Sequence, residues 1–142
     1  MTLLVDAGPL VASTDVRDRR RLSVQRLLVD SLGPLVVPAP ITAEVDYLLA
    51  DRIGERARLG FLDDLISRRF DVECLTPADY ASVAMLERQY ADLRPGLADL
   101  SIVVVAARLR CTRILTFDER HFRAILPLYG DAFTLLPADA DA

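Results

Sequence analysis

Leu3-Leu4-Val5-Asp6-Ala7-Gly8-Pro9 near the start and Arg113-Ile114-Leu115-Thr116-Phe117-Asp118 near the end decide the reading of this chain. Each is a short, largely apolar run of strand length that stops at an aspartate. In an open parallel sheet, ligands bind just beyond the carboxyl ends of the strands, so two acids placed there can face one crevice. That placement points to a metal site.

The stretch between these runs alternates strand-like and helical segments. Gly8-Pro9 turns the chain into helical material reaching about Leu32, with a break, and Gly33-Pro34 stops it. Leu35-Val36-Val37 reads as a second strand, and Thr42 as the cap of a helix running to about Ile53, ended by Gly54. Residues 55–68 repeat leucine and isoleucine at helical spacing, and Phe70 to Leu75 reads as a third strand. Thr76-Pro77-Ala78-Asp79 starts a helix predicted to reach about Leu93, followed by an Arg94-Pro95-Gly96 loop. Leu97 to Leu109 is apolar almost all round, which predicts a buried helix. A last strand is expected near Ala132 to Leu136. Such alternation predicts an α/β fold in three α/β/α layers, with a central parallel sheet of four to five strands and right-handed crossovers. The expected organisation is one domain over residues 1–136 and a frayed tail over 137–142.

Composition removes many functions. At 142 residues the chain is the size of one domain that can bury a core without disulfides. Cys74 and Cys111 lack the spacing of a zinc or redox motif and are expected to be buried, reduced packing residues. All 17 basic residues are arginine, so lysine chemistry, including P-loops, kinases and Schiff bases, is excluded by inventory. No run approaches the roughly 20 apolar residues of a membrane span, and a cytoplasmic protein is expected. The net charge of −4 argues against a nucleic-acid partner only until its location is considered. Setting aside Asp6, Glu44, Asp99, Asp118 and the tail acids Asp139 and Asp141 leaves a mildly basic remainder of +2.

Glu44 borders the apolar stripe of its helix beside Ile41, Val45 and Leu48, whereas Asp46 faces away as a solvated or outer residue. Asp99 shares the apolar face of the buried helix with Ile102, Val103 and Ala106. Taken singly, each acid is ordinary: a carboxylate at a helix start or in the turn after a strand is common. Together, Asp6, Glu44, Asp99 and Asp118 fall at the same edge of the predicted sheet. At ~4 Å and an effective dielectric of ~20, two close carboxylates repel by about 4 kcal/mol, so such a cluster needs a counter-charge. An all-oxygen donor set with no cysteine and no local histidine suits Mg²⁺, with Mn²⁺ as the second possibility, and disfavours zinc. His121, the sole histidine, is read as an exposed loop residue rather than a general acid.

With these residues in place, the chain resembles the PIN-domain nucleases, and among them the VapC-type toxins of bacterial toxin–antitoxin pairs. The resemblance rests on Val5-Asp6, Thr42-Ala43-Glu44-Val45, Leu97-Ala98-Asp99-Leu100-Ser101, and Leu115-Thr116-Phe117-Asp118 with Phe122, and it spans essentially the whole chain. It implies that Asp6, Glu44, Asp99 and Asp118 form the acidic metal-binding and catalytic quartet, with Thr116 as a supporting hydroxyl. It also implies an Mg²⁺-dependent endoribonuclease acting on transfer or ribosomal RNA, a homodimer, and a VapB-type antitoxin lying across helices and blocking the crevice. One departure is Gly8, where the family often carries serine, threonine or asparagine.

Arg17, Arg19, Arg20 and Arg21 are placed either to meet a phosphate backbone or to form a solvated helix face. Leu48, Leu49, Phe61, Leu62 and Leu65 suggest a paired-helix surface, most of which core packing explains. Two alternatives stay open: a metal-dependent phosphatase or DNA nuclease, and a catalytically silent PIN-like binding module. Asp6-Ala7-Gly8 lacks the second aspartate of the haloacid-dehalogenase type, which weakens the phosphatase version.

Overall fold

A computed structural model describes residues 1–141. The three apolar residues of β1 (Leu3–Val5) are completely enclosed, because this strand has a neighbour on either side and helices above and below. It is followed by α1 (Ala7–Thr14), α2 (Arg21–Asp30), β2 (Leu35–Pro38), α3 (Ala39–Arg52), α4 (Glu55–Ile66), β3 (Asp71–Glu73) and α5 (Pro77–Gln89). A 3-10 turn (Ala91–Leu93) leads to α6 (Gly96–Arg108), β4 (Arg113–Leu115), α7 (Glu119–Ala124) and β5 (Thr134–Leu136).

The five strands form one parallel sheet in the order β3-β2-β1-β4-β5. The chain first winds outward from β1 through β2 to β3, then returns past the start to lay down β4 and β5. Winding therefore reverses between β1 and β4, the place where open α/β sheets leave a crevice. Asp6 and Asp118 follow these two strands. The expected three-layer architecture is observed, with the upper of the two strand counts.

The core runs through the sheet and α6, whose residues Leu100 to Ala106 are buried without interruption. Its enclosure matches the apolar circumference seen in sequence. α5 packs on α6, and α3 packs on α1, α4 and α6. Gly54 takes φ +140° as it ends α3 and opens α4, a conformation side chains resist.

Four expectations need correction. Thr42 does not cap α3: the helix begins at Ala39 with Pro40 in its first turn, and the Thr42 hydroxyl donates back to the Ala39 carbonyl. α5 ends at Gln89 rather than Leu93, the last residues tightening into the 3-10 turn. Cys111 is buried, but Cys74 is exposed beyond the short edge strand β3. The tail is tied through residue 140 rather than frayed from 137. Asp139 accepts a hydrogen bond from Leu135 N–H and pairs with Arg123, and Ala140 N–H donates to the Pro137 carbonyl. Ala142 lies outside the described residues.

Candidate active site

Asp6 stands at the end of β1 as the N-cap of α1, its Oδ1 accepting from Ala7 N–H at 2.8 Å. Its Oδ2 accepts from the hydroxyl of Thr116, just past β4, at 2.7 Å. Thr116 Oγ1 in turn accepts from Asp118 N–H at 3.0 Å, so one hydroxyl ties two acids from neighbouring strands. Asp118 caps α7 through His121 N–H at 3.0 Å. Thr116, expected beside the acids, lies between Asp6 and Asp118.

Asp99 arrives from the first turn of α6. His121, from the first turn of α7, meets it: Nδ1 lies 2.5 Å from Asp99 Oδ2 and 2.9 Å from Asp118 Oδ2. The expectation of an exposed loop histidine is therefore wrong. α7 starts one residue after Asp118, which puts His121 three positions from its cap and turns the ring inward, leaving 17% of the side chain exposed. Asp99, Asp118 and His121 each offer an atom within 4.8 Å of the others, a spacing that fits a shared cation. Neither Asp6 nor Glu44 belongs to that tightest group.

Electrostatics link all four acids. Burial pushes the Asp6 carboxyl above the ordinary 3.8, opposed by the Thr116 and Ala7 hydrogen bonds and reinforced by the Asp118 charge. Asp99 is pushed up to about 6, first by burial and then by the Asp6 charge. Glu44, on α3, is raised by burial and by Asp6. Mutual repulsion of this kind is relieved when a divalent cation replaces the protons. The carboxylates and imidazole present are donors suited to such an ion.

At the rim, a Cβ added to Gly8 would lie 3.3 Å from the Phe117 ring, so the ring occupies room that a side chain at position 8 would need. Arg20 stacks on the same ring, its guanidinium carbon 3.8 Å from the centroid, while pairing with Asp18. Asp46 forms an ion pair with Arg58, outside the acid cluster, as its outward reading implied.

The family described as PIN domain matches residues 3–125, more than four fifths of the chain. The chain belongs to the PIN-domain family. It is 35% identical over 135 residues to Ribonuclease VapC26 of Mycobacterium tuberculosis, an alignment covering 95% of this chain and all of that protein. This PIN domain is thus of the VapC type. Its fold is similar to that of Mycobacterium tuberculosis VapC20, described as a sarcin–ricin loop cleaving toxin, with TM-score 0.79 and 17% identity over 90% of this chain and 99% of that one. It is also similar to a chain of VapBC2 from Rickettsia felis, solved bound to a DNA fragment from its promoter. That match has TM-score 0.67 and 16% identity over 95% and 98% of the two chains.

Away from the acids, a groove of about 820 Å³ opens between α1, α2, α3 and α4, lined by Leu10, Val29, Leu49, Ile53, Phe61 and Phe70. Leu49 and Phe61 were expected to form part of a paired-helix surface; both are buried side chains whose packing leaves this groove. Among the described residues, no helix is long and apolar enough to cross a membrane.

Proposed function

We propose that this PIN domain is the toxin of a VapBC-type pair, a divalent-metal-dependent endoribonuclease that hydrolyses transfer or ribosomal RNA. The observation that carries the reading is the meeting of Asp6, Asp99 and Asp118, coupled to Glu44, at the point where the winding of the sheet reverses. Likeness in sequence to a ribonuclease over nearly the whole chain supports the same chemistry.

Asp6, Asp99 and Asp118 would hold the ion, with Glu44 completing the site directly or through water. When bound, the ion supplies an activated water and charge stabilisation at the leaving oxygen, as in other metal-assisted phosphodiester hydrolysis. The chain's own residues fix the geometry. Thr116 and Ala7 N–H hold both Asp6 oxygens in place, and the α7 cap holds Asp118. Arg20 stands near the crevice mouth, where it would orient a phosphate backbone. The product would carry a 5′-phosphate.

An antitoxin segment is the partner that fits the helical groove. An amphipathic helix would set its apolar stripe against Leu49, Phe61 and their neighbours, the helix-in-groove mode of recognition. A homodimer and a cytoplasmic location complete the proposal.

Cleavage of total and transfer RNA is the test, using antitoxin-free protein with Mg²⁺, Mn²⁺ or EDTA and Asp99→Asn prepared in parallel. Metal-dependent cutting lost in the variant supports the proposal. Equal cutting by the variant, or none with either metal, would overturn it.

A further inference from the structure

Resting on the metal-dependent reading above, we propose that His121 Nδ1 is a direct ligand of the site's cation, so that the protein holds Mn²⁺ in preference to Mg²⁺. The imidazole nitrogen, Asp99 Oδ2 and Asp118 Oδ2 converge, with Nδ1 2.5 and 2.9 Å from the two oxygens. In an octahedron with bonds of about 2.1 Å, adjacent ligand atoms stand about 3 Å apart and opposite ones about 4.2 Å. All three atoms lie within 4.8 Å of one another, close enough for one ion to draw them into neighbouring positions.

The backbone supports this use of the ring. His121 N–H is fixed to Asp118 Oδ1, so the residue that offers the nitrogen and the residue that offers an oxygen are tied before any ion arrives. An all-carboxylate crevice would serve Mg²⁺ equally well. Adding an imidazole changes the balance, because nitrogen favours transition ions whereas Mg²⁺ keeps oxygen ligands and sheds water reluctantly. Thiolate ligands, which would favour Zn²⁺, are absent from the group. Both thiols are elsewhere, with Cys111 buried against the Thr2 carbonyl and Cys74 exposed.

Pulsed EPR of Mn²⁺ bound to the metal-free protein reads the ligand directly, since a coordinated imidazole nitrogen modulates the electron spin echo. The ¹⁴N modulation is expected in the parent protein and absent in His121→Asn, which keeps an oxygen near the place of Nδ1. By titration calorimetry, Mn²⁺ affinity should fall about tenfold or more in the variant while Mg²⁺ affinity changes far less. Bound Mn²⁺ without nitrogen modulation, or equal losses for the two ions, overturns the assignment and leaves His121 as a hydrogen-bonding tie between two acids. A parent protein that binds neither ion overturns the metal-dependent function itself, and the ligand assignment with it.

Discussion

Thr116 is almost completely buried and makes the only side-chain hydrogen bond that reaches Asp6 among the described residues, while accepting from the backbone of Asp118. Removing the hydroxyl in Thr116→Val keeps the shape but leaves a buried carboxyl oxygen without its donor. The expected loss is about 1–3 kcal/mol of stability, by denaturant titration, and about 10- to 100-fold in RNA cleavage. Thr116→Ser should restore most of both. Asp99 has the opposite relation to stability. Its folded pKa of about 6 lies above the ordinary 3.8, so between those values the folded chain keeps a proton that the unfolded chain has released. The contribution of this residue to stability is therefore present at low pH and lost as pH rises through about 6. Asp99→Asn is expected to raise the stability of metal-free protein at pH 7 by about 1–3 kcal/mol, with no gain near pH 3. Calorimetric melts at the two pH values measure this, and a variant less stable than its parent at pH 7 would contradict it.

Among the elements, α5 has the most complete start: Thr76 accepts from Asp79 N–H, and the Asp79 carboxylate accepts from Thr76 N–H. Thr76→Ala should cost about 1 kcal/mol in thermal melts while RNA cleavage stays at the parental level, because this helix start belongs to no part of the acid site. The same Thr-Pro-Ala-Asp signal was readable in the sequence because every hydrogen bond it makes is local. The alternation of strands and helices and the buried α6 were equally accessible, since apolar period and length survive without knowledge of neighbours. α3 was misjudged at its start because Pro40 occupies a first-turn position where its missing N–H costs nothing, so the helix begins ahead of Thr42. His121 was missed for a different reason. α7 has six residues, too few to display a period, and the group that meets the ring, Asp99, comes from a helix far away in sequence. Asp6 and Asp118 could be found because strand ends announce them; the nitrogen beside them could not.

On the scale of the whole molecule, the acid cluster and the apolar groove are lined by different residues of one α/β body. A site ion at 100 times its dissociation constant should stabilise the fold by about 2.7 kcal/mol, a gain seen in thermal melts and abolished by EDTA. The groove offers an independent handle at Gly60, where an added Cβ meets nothing within 4 Å. Gly60→Arg is expected to weaken antitoxin binding at least about tenfold by titration, as a charge and a long side chain enter an apolar cleft. Cleavage by that variant should then survive antitoxin concentrations that silence the parent. The hydrogen bond between Thr116 and Asp6 spans 110 positions of sequence, because β1 waits beside an empty place until β4 fills it. Until β4 has been made, the acids that precede it have no second strand end to meet. Asp6, Glu44 and Asp99 emerge in turn before that strand, and Asp118 and His121 follow it. Assembly of the acid cluster is therefore tied to the completion of β4 rather than to the folding of the β1-to-β3 half of the sheet.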